Sequence, residues 1–277
     1  MTDRYAVFGY PINHSKSPRI HQLFAEQTQQ NLSYQAQAVP AEQFTTAVSE
    51  FFADGGKGLN CTVPLKELAW QYAAEKTPRA EFAKAVNTLK MQDNGLLLGD
   101  NTDGCGLVRD LTDNHSIQLN GKRLLILGAG GATRGILAPL LEQQPTSLTI
   151  ANRTVAKAQG LAADFQTLAI INACGFEDLV GQQFDIILNA TSASLSDQLP
   201  PIPDNLLAAN GICYDLAYSN QATAFVRWGQ QHHAQKSLDG LGMLIEQAAE
   251  AFYLWRGVRP QTQDVIALLN AERAATN

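Results

Sequence analysis

Residues 124–154 read LLILGAGGATRGILAPLLEQQPTSLTIANRT. An apolar strand runs into a glycine-rich turn, then a helix-length segment, then a second apolar strand that ends in Asn-Arg-Thr. A glycine turn between strand and helix lets a pyrophosphate approach the backbone. The helix N-terminus offers that anion free N–H groups and the positive end of its dipole. Gly128, Ala129, Gly130, Gly131 and Ala132 form the predicted cradle, and Thr133 stands where such turns carry a third glycine or alanine. The adenosine ribose of a dinucleotide belongs at the end of the next strand, where an acidic residue binds a free 2′-hydroxyl. This chain has Asn152, Arg153 and Thr154 there, and a guanidinium flanked by amide and hydroxyl groups suits a 2′-phosphate. The expected cofactor is therefore NADP(H) rather than NAD(H). Lys157, one helical turn after Arg153, either adds charge beside the same phosphate or is simply solvated.

Around this unit, 277 residues are enough for one large or two modest domains. Hydrophobic residues at 45% and charged ones at 17% describe a globular chain. A net charge of −6 without a long basic run argues against a nucleic-acid partner. No signal-like N-terminus and no bilayer-length apolar run is present, so no membrane association is expected. Cys61, Cys105, Cys174 and Cys213 are widely separated, which argues against a zinc site or disulfide framework and for a reducing cytoplasm. Cys61 and Cys105 lie beside the clusters described next, and burial as small apolar side chains is their expected role.

Apolar runs and turn signals alternate along the chain. Strands are expected over 5–10, 34–39, 58–63, 184–191 and 211–218, with helices over about 17–30, 41–53, 64–74, 78–83 and 103–115. A hairpin is expected over 87–100, around Asp93-Asn94-Gly95. The fold class is α/β with two domains: an N-terminal α/β substrate domain and a Rossmann-type NADP-binding domain. The amphipathic tail from Leu241 to Ala275 is expected to return to the first domain. The expected division is residues 1–102 plus 240–277 for substrate and catalysis, and 103–239 for the cofactor. Both ligands are expected in the cleft of a two-domain fold, at the carboxyl ends of its strands.

Four polar clusters mark strand ends and loops of the first domain. His14-Ser15-Lys16-Ser17-Pro18 places two hydroxyls at a helix start, where they can hold a carboxylate; Ser17 also reads as the N-cap of that helix. Asn60-Cys61-Thr62-Val63-Pro64-Leu65-Lys66 leaves a buried strand and puts a lysine in a first helical turn, against the dipole. Ala85-Val86-Asn87-Thr88 and Gly99-Asp100-Asn101-Thr102-Asp103-Gly104 read locally as turns, with Asp103 placed to cap the next helix.

Together these segments resemble the shikimate dehydrogenase family over nearly the full length. The matching stretches are SKSP (15–18), NCTVPLKE (60–67), AVNTL (85–89), GDNTDG (99–104), GAGGATRG (128–135), ANRT (151–154), NATS (189–192), CYDLAY (213–218) and DGLGMLIEQAAEAF (239–252). The resemblance implies NADPH-dependent reduction of 3-dehydroshikimate to shikimate on the route to aromatic amino acids. It implies Lys66 and Asp103 as the catalytic pair. Ser15, Ser17 and Tyr218 fall at the substrate carboxylate, and Thr62, Asn87, Asp103 and Gln247 at the ring hydroxyls or the carboxylate end. The turn from Gly128 to Ala132 takes the pyrophosphate, and Asn152, Arg153, Thr154 and Lys157 take the 2′-phosphate. Thr191, Leu216, Gly240 and Met243 line the nicotinamide region. The implied partner is the small-molecule substrate alone, on a monomer or homodimer. The chain departs from the family pattern at Cys61, where valine is common, at Leu65, where an aromatic is common, and at Ala193-Ser194, where a glycine usually follows NATS.

Two other readings compete. A quinate/shikimate dehydrogenase of broader substrate or NAD use shares the fold, and Arg153 speaks against its NAD preference. A non-catalytic NADP sensor would keep the glycine turn without the catalytic pair, and both Lys66 and Asp103 are present.

Overall fold

A computed structural model of the chain describes residues 2–275. They form two compact units. The first ends at Gly106 and resumes over Leu244–Leu268; the second covers Leu107–Met243 and resumes at Leu269.

In the first unit β1 (Asp3–Gly9), α1 (Ser17–Gln27), β2 (Leu32–Ala38), α2 (Phe44–Ala53) and β3 (Gly56–Cys61) alternate. They are followed by α3 (Lys66–Tyr72), β4 (Glu75–Lys76), α4 (Pro78–Ala83), β5 (Thr88–Met91) and β6 (Leu97–Asp100). The sheet order is β2-β1-β3-β5-β6-β4, and β5 alone runs antiparallel to both neighbours. Tyr5, Ala6, Val7 and Phe8 of β1 are all buried, as a central strand covered on both faces requires. Phe8, Phe44, Val48, Leu59, Leu65 and Leu89 form the core on one face. On the other face Trp255 stacks on Tyr5 with ring centroids 4.8 Å apart and donates its indole N–H to the Leu89 carbonyl at 3.0 Å. A Cβ at Gly58 would strike that indole, so the glycine admits it.

α5 (Asp103–Arg109) starts in the first unit and ends in the second, its last turn widening over Asp110–Asn114. The second unit continues with β7 (Arg123–Leu127), α6 (Gly131–Glu142), β8 (Ser147–Ala151), α7 (Val155–Asp164), β9 (Asn172–Cys174) and β10 (Phe184–Asn189). It then runs through β11 (Leu207–Asp215), α8 (Ala224–Gln231) and β12 (Lys236–Leu238). Its sheet is parallel throughout, in the order β12-β11-β10-β7-β8-β9. Winding proceeds outward from β7 in one direction and restarts beside it with β10. That reversal opens the crevice in which doubly wound sheets bind nucleotides. The tail is α9 (Leu241–Arg256) and α10 (Gln263–Ala275).

Several details differ from the sequence reading. The short edge strands β4, β9 and β12 carry too few residues for a periodic signal. The expected helix over 41–53 opens with a 3-10 turn over Ala41–Gln43. The units divide after Gly106 and Met243 rather than at 102 and 239, and the last stretch of α10 groups with the second unit. Arg273 of α10 pairs there with Asp239 at 2.5 Å, a contact no local pattern announces.

Candidate active site

The β3–α3 loop and the β6–α5 loop are brought side by side by the β3-β5-β6 pairing. Gly9 permits the first of these loops to come close, because a Cβ there would collide with the Thr62 side chain. Lys66 opens α3 and Asp103 opens α5, and Lys66 Nζ lies 2.6 Å from Asp103 Oδ2. Both side chains keep some exposure, 29% and 13%, so neither is sealed in the core. The buried amide of Asn87 donates to Asp103 Oδ1 and to Thr102 Oγ1, each at 2.9 Å, and lies 3.2 Å from Gln247 Oε1. Asn87 Oδ1 in turn accepts from the Thr102 backbone N–H at 2.9 Å and from Thr88 Oγ1 at 2.8 Å. Lys66, Asn87, Asp103 and Gln247 thus form one connected group, with Thr62 four residues before Lys66 in the same loop.

Two local expectations are corrected. Ser17 is not the N-cap of α1. It is the first helical residue, and its backbone N–H is received by Ser15 Oγ at 3.3 Å, so Ser15 supplies the local turn. Asp103 likewise does not cap α5 with its own side chain. Asn101 Oδ1 accepts the Asp103 N–H at 3.2 Å, which leaves the Asp103 carboxylate for Lys66 and Asn87.

The sequence reading missed the residues behind this group. Asn60 Nδ2 donates to the Asn87 carbonyl and to Thr88 Oγ1, both at 3.0 Å, and Tyr34 donates to Asn60 Oδ1 at 2.6 Å. A polar relay therefore links Tyr34 through Asn60, Thr88 and Asn87 to Asp103 and Lys66. Asn60 and Thr102 lay inside quoted motifs; Tyr34 had no signal beyond its place in a strand. Cys61 is buried and its thiol is pushed up to about 12 by that burial, and burial also raises Cys105, so neither is a poised nucleophile.

In the second unit Gly128 takes φ +104°, and a Cβ there would meet the Ala190 backbone and Thr191 Cγ2 at 3.2 Å. This is the switch point of the sheet, where the ends of β7 and β10 touch. Thr133, which replaces the usual third glycine, is buried and donates to the Gly128 carbonyl at 2.8 Å, fastening the turn. Above Gly130 and Gly131 there is open space, so their N–H groups at the start of α6 are accessible to a phosphate. At the end of β8, Asn152 is braced on the Thr154 carbonyl at 2.9 Å and on the Cys174 carbonyl at 3.1 Å. Arg153 and Lys157 are exposed, and no carboxylate pairs with either among the described residues. This donor set fits a pyrophosphate on the turn and a phosphate monoester at the strand end.

Thr191, Leu216, Gly240 and Met243, the residues expected near a nicotinamide, gather about the ends of β10 and β11. Thr191 Oγ1 donates to Asn189 Oδ1 at 2.7 Å, and the Leu216 N–H to the Asn189 carbonyl at 2.9 Å. Gly240 lies so close to the Leu216 carbonyl that any Cβ would collide with it. The Met243 N–H reaches the buried Tyr214 hydroxyl at 3.3 Å. The loop departure at Ala193-Ser194 also has an explanation. Ser194 Oγ donates to the buried Asp215 at 2.5 Å and accepts from Asn189 Nδ2 at 3.0 Å, tying the β10 loop to β11. Tyr218 follows β11 in this second unit, half-buried, with its phenol raised by burial and then by Asp239; Ser15 and Ser17 belong to the first unit.

Comparison with known proteins agrees across the chain. It matches the shikimate dehydrogenase substrate binding domain over residues 7–89 and shikimate / quinate 5-dehydrogenase over residues 110–196. It also matches the shikimate 5'-dehydrogenase C-terminal domain over residues 240–269. A shikimate dehydrogenase (NADP(+)) of Methylococcus capsulatus (strain Bath) is 60% identical over 98% of this chain and 97% of its own length. Among solved structures, an Ael1 enzyme from Pseudomonas putida superposes with a TM-score of 0.91 at 46% identity, covering 97% of this chain and 98% of that one. Shikimate 5-dehydrogenase from Thermus thermophilus, solved with NADP(H) and shikimate, gives a TM-score of 0.87 at 32% identity over 99% of this chain and all of its own.

Proposed function

The chain belongs to the shikimate dehydrogenase family, and from that premise we propose that it catalyses the reversible NADPH-dependent reduction of 3-dehydroshikimate to shikimate. This reaction lies on the route to chorismate and the aromatic amino acids. The observation that carries the reading is the Lys66–Asp103 pair, anchored by Asn87.

NADPH, when bound, supplies the hydride that forms the new C–H bond. As the ketone π-electrons move to oxygen, negative charge develops there, and the Lys66 ammonium stabilises it and delivers a proton to that oxygen. Asp103 stays ionised, fixes the direction of Nζ and accepts from a neighbouring substrate hydroxyl. The neutral amine left on Lys66 regains its proton from water. Asn87, Thr62 and Gln247 orient the ring hydroxyls, and Ser15 and Ser17 take the carboxylate. Residues Gly128 to Ala132 hold the pyrophosphate; Asn152, Arg153, Thr154 and Lys157 hold the 2′-phosphate. Thr191, Leu216, Gly240 and Met243 wall the nicotinamide. Neither nucleic acid nor membrane enters the reading, and no helix among the described residues is long and apolar enough to cross a bilayer. We assign the reaction to the cytoplasm, where the four free thiols stay reduced.

The test follows NADPH absorbance with 3-dehydroshikimate and 3-dehydroquinate in turn, then with NADH. Turnover with NADPH and dehydroshikimate alone supports the reading. Comparable rates with dehydroquinate or NADH move the protein to the broader quinate/shikimate class. NADPH binding without turnover makes it a sensor.

A further inference from the structure

The residues read as the nicotinamide wall all belong to the second unit. Thr191 and Leu216 are tied together through Asn189, and the Gly240 N–H reaches the Ala217 carbonyl at 3.1 Å. Met243 is held by a different route. It is the third residue of α9, so its N–H is one of those a helix leaves without an internal acceptor. That N–H goes to the Tyr214 hydroxyl of β11, at 3.3 Å. A capping side chain just before the helix, the common solution, is closed here. Gly240 holds that position, and a Cβ on it would run into the Leu216 carbonyl.

The Tyr214 hydroxyl is itself aimed. It is buried and donates to Asp110 Oδ2 at 2.7 Å, while Asn114 Nδ2 holds Asp110 Oδ1 at 2.9 Å. Burial, and then the Asp110 carboxylate, push the phenol up. The O–H therefore remains a donor toward Asp110, and the oxygen receives the Met243 N–H. A Cβ at Gly242 would strike the Asp110 carboxylate, so this glycine lets an anion lie against the first turn of α9, at the positive end of its dipole. Capping one N–H needs one acceptor. Here a buried phenol, a buried carboxylate and an amide brace stand in series behind the backbone of a half-buried Met243.

We propose that Tyr214, held by Asp110, is a positioning residue for hydride transfer. It fixes Met243 against the end of β11 and so sets how the nicotinamide presents its C4 to the reacting carbon. The proposal rests on the reading that Met243 walls the nicotinamide. Tyr214 is sealed from solvent, so it acts through Met243 rather than by touching either ligand.

The test runs the reaction from shikimate with NADP(+), using shikimate unlabelled and deuterated at the carbon that gives up hydride. Tyr214→Phe keeps the ring and removes only the hydroxyl. It is expected to lower kcat about ten- to a hundredfold, as reacting atoms held slightly out of place do. Its deuterium isotope effect should rise, because hydride transfer becomes the slow step, while NADP(+) affinity by fluorescence titration stays within about threefold. Met243→Ala removes the wall itself, and adding Tyr214→Phe to it should lower kcat by less than about threefold more, since the two act as one unit. Asp110→Asn keeps an oxygen for Tyr214 and is expected to fall between wild type and Tyr214→Phe. It carries the comparison where Tyr214→Phe does not fold. Wild-type kcat and isotope effect in the variant measured, whatever its melting temperature, would make Tyr214 a structural cap and overturn the proposal. So would losses that multiply in full in the double variant, which would remove Met243 as the route. A wild type that does not oxidise shikimate overturns the parent reading, and the proposal falls with it.

Discussion

Lys66 Nζ sits 2.6 Å from Asp103 Oδ2, and the other carboxylate oxygen is held by Asn87 at 2.9 Å. The lysine is therefore aimed by a carboxylate that is itself aimed. Three elements distant in sequence are thereby held as one hydrogen-bonded group. Lys66→Ala is expected to lower kcat by roughly 10²–10⁴, the span of general acid catalysis, while NADPH affinity stays within a fewfold. Steady-state rates and fluorescence titration of NADPH separate the two effects. A variant within a fewfold of wild type in kcat would remove Lys66 from the chemistry.

Arg153 is exposed at the end of β8, and no carboxylate engages it among the described residues. A charged hydrogen bond contributes about 1.5–3 kcal/mol, so Arg153→Ala is expected to weaken NADPH roughly ten- to a hundredfold. NADH, which lacks the 2′-phosphate, should bind almost unchanged. Titration of both dinucleotides checks this, and equal losses would make Arg153 structural.

Arg79 grips the buried Asp100 through two nitrogens, one at 2.7 Å, and reaches Glu250 at 3.2 Å. Asp100 also accepts from Thr77 and from the Asn101 N–H, so it anchors the loop that ends in Asp103. Arg79→Ala leaves a buried carboxylate short of its cation and is expected to cost about 3–5 kcal/mol of stability in urea unfolding. Adding Asp100→Asn to that variant should recover part of the loss. A loss below about 1 kcal/mol would show that Asp100 is sufficiently satisfied by its other donors.

The fold was legible where one short segment carries a whole local device: the positive φ of Gly128 and the placement of Asn152-Arg153-Thr154 directly after β8 can each be read from a few letters. Lys66 and Asp103 drew attention as motif members, and the family resemblance supplied their partnership. The relay through Tyr34, Asn60 and Thr88 was not legible, because it depends on which strands pair and in which register. Ser194 replaces a loop glycine by bonding to Asp215, 21 residues away, so the substitution looked only like a departure. Ser17 misled for the converse reason. A serine before proline reads as a cap, yet the N-cap position falls on Lys16, and Ser15 Oγ receives the Ser17 N–H.

His21 yields a pH dependence unrelated to catalysis. The imidazole is fully buried, stacked on Tyr34 with centroids 4.1 Å apart and planes 8° off parallel, with Trp255 at 5.4 Å. Burial lowers it from its ordinary 6.5 to about 3, so it stays neutral in the folded chain. Between those two values the unfolded chain holds one proton more than the folded one. The stability associated with a neutral His21 is therefore complete above about pH 6.5 and is lost on acidification, at about 1.4 kcal/mol per pH unit. By pH 5 the loss amounts to about 2 kcal/mol. His21→Phe keeps an aromatic ring in the stack and removes the titration. Urea unfolding of both proteins at pH 7 and pH 5 isolates this effect, because carboxylates common to both cancel in the comparison. The variant is expected to lose about 2 kcal/mol less than the wild type over that interval. Equal losses would mean that the imidazole takes up its proton without leaving the fold.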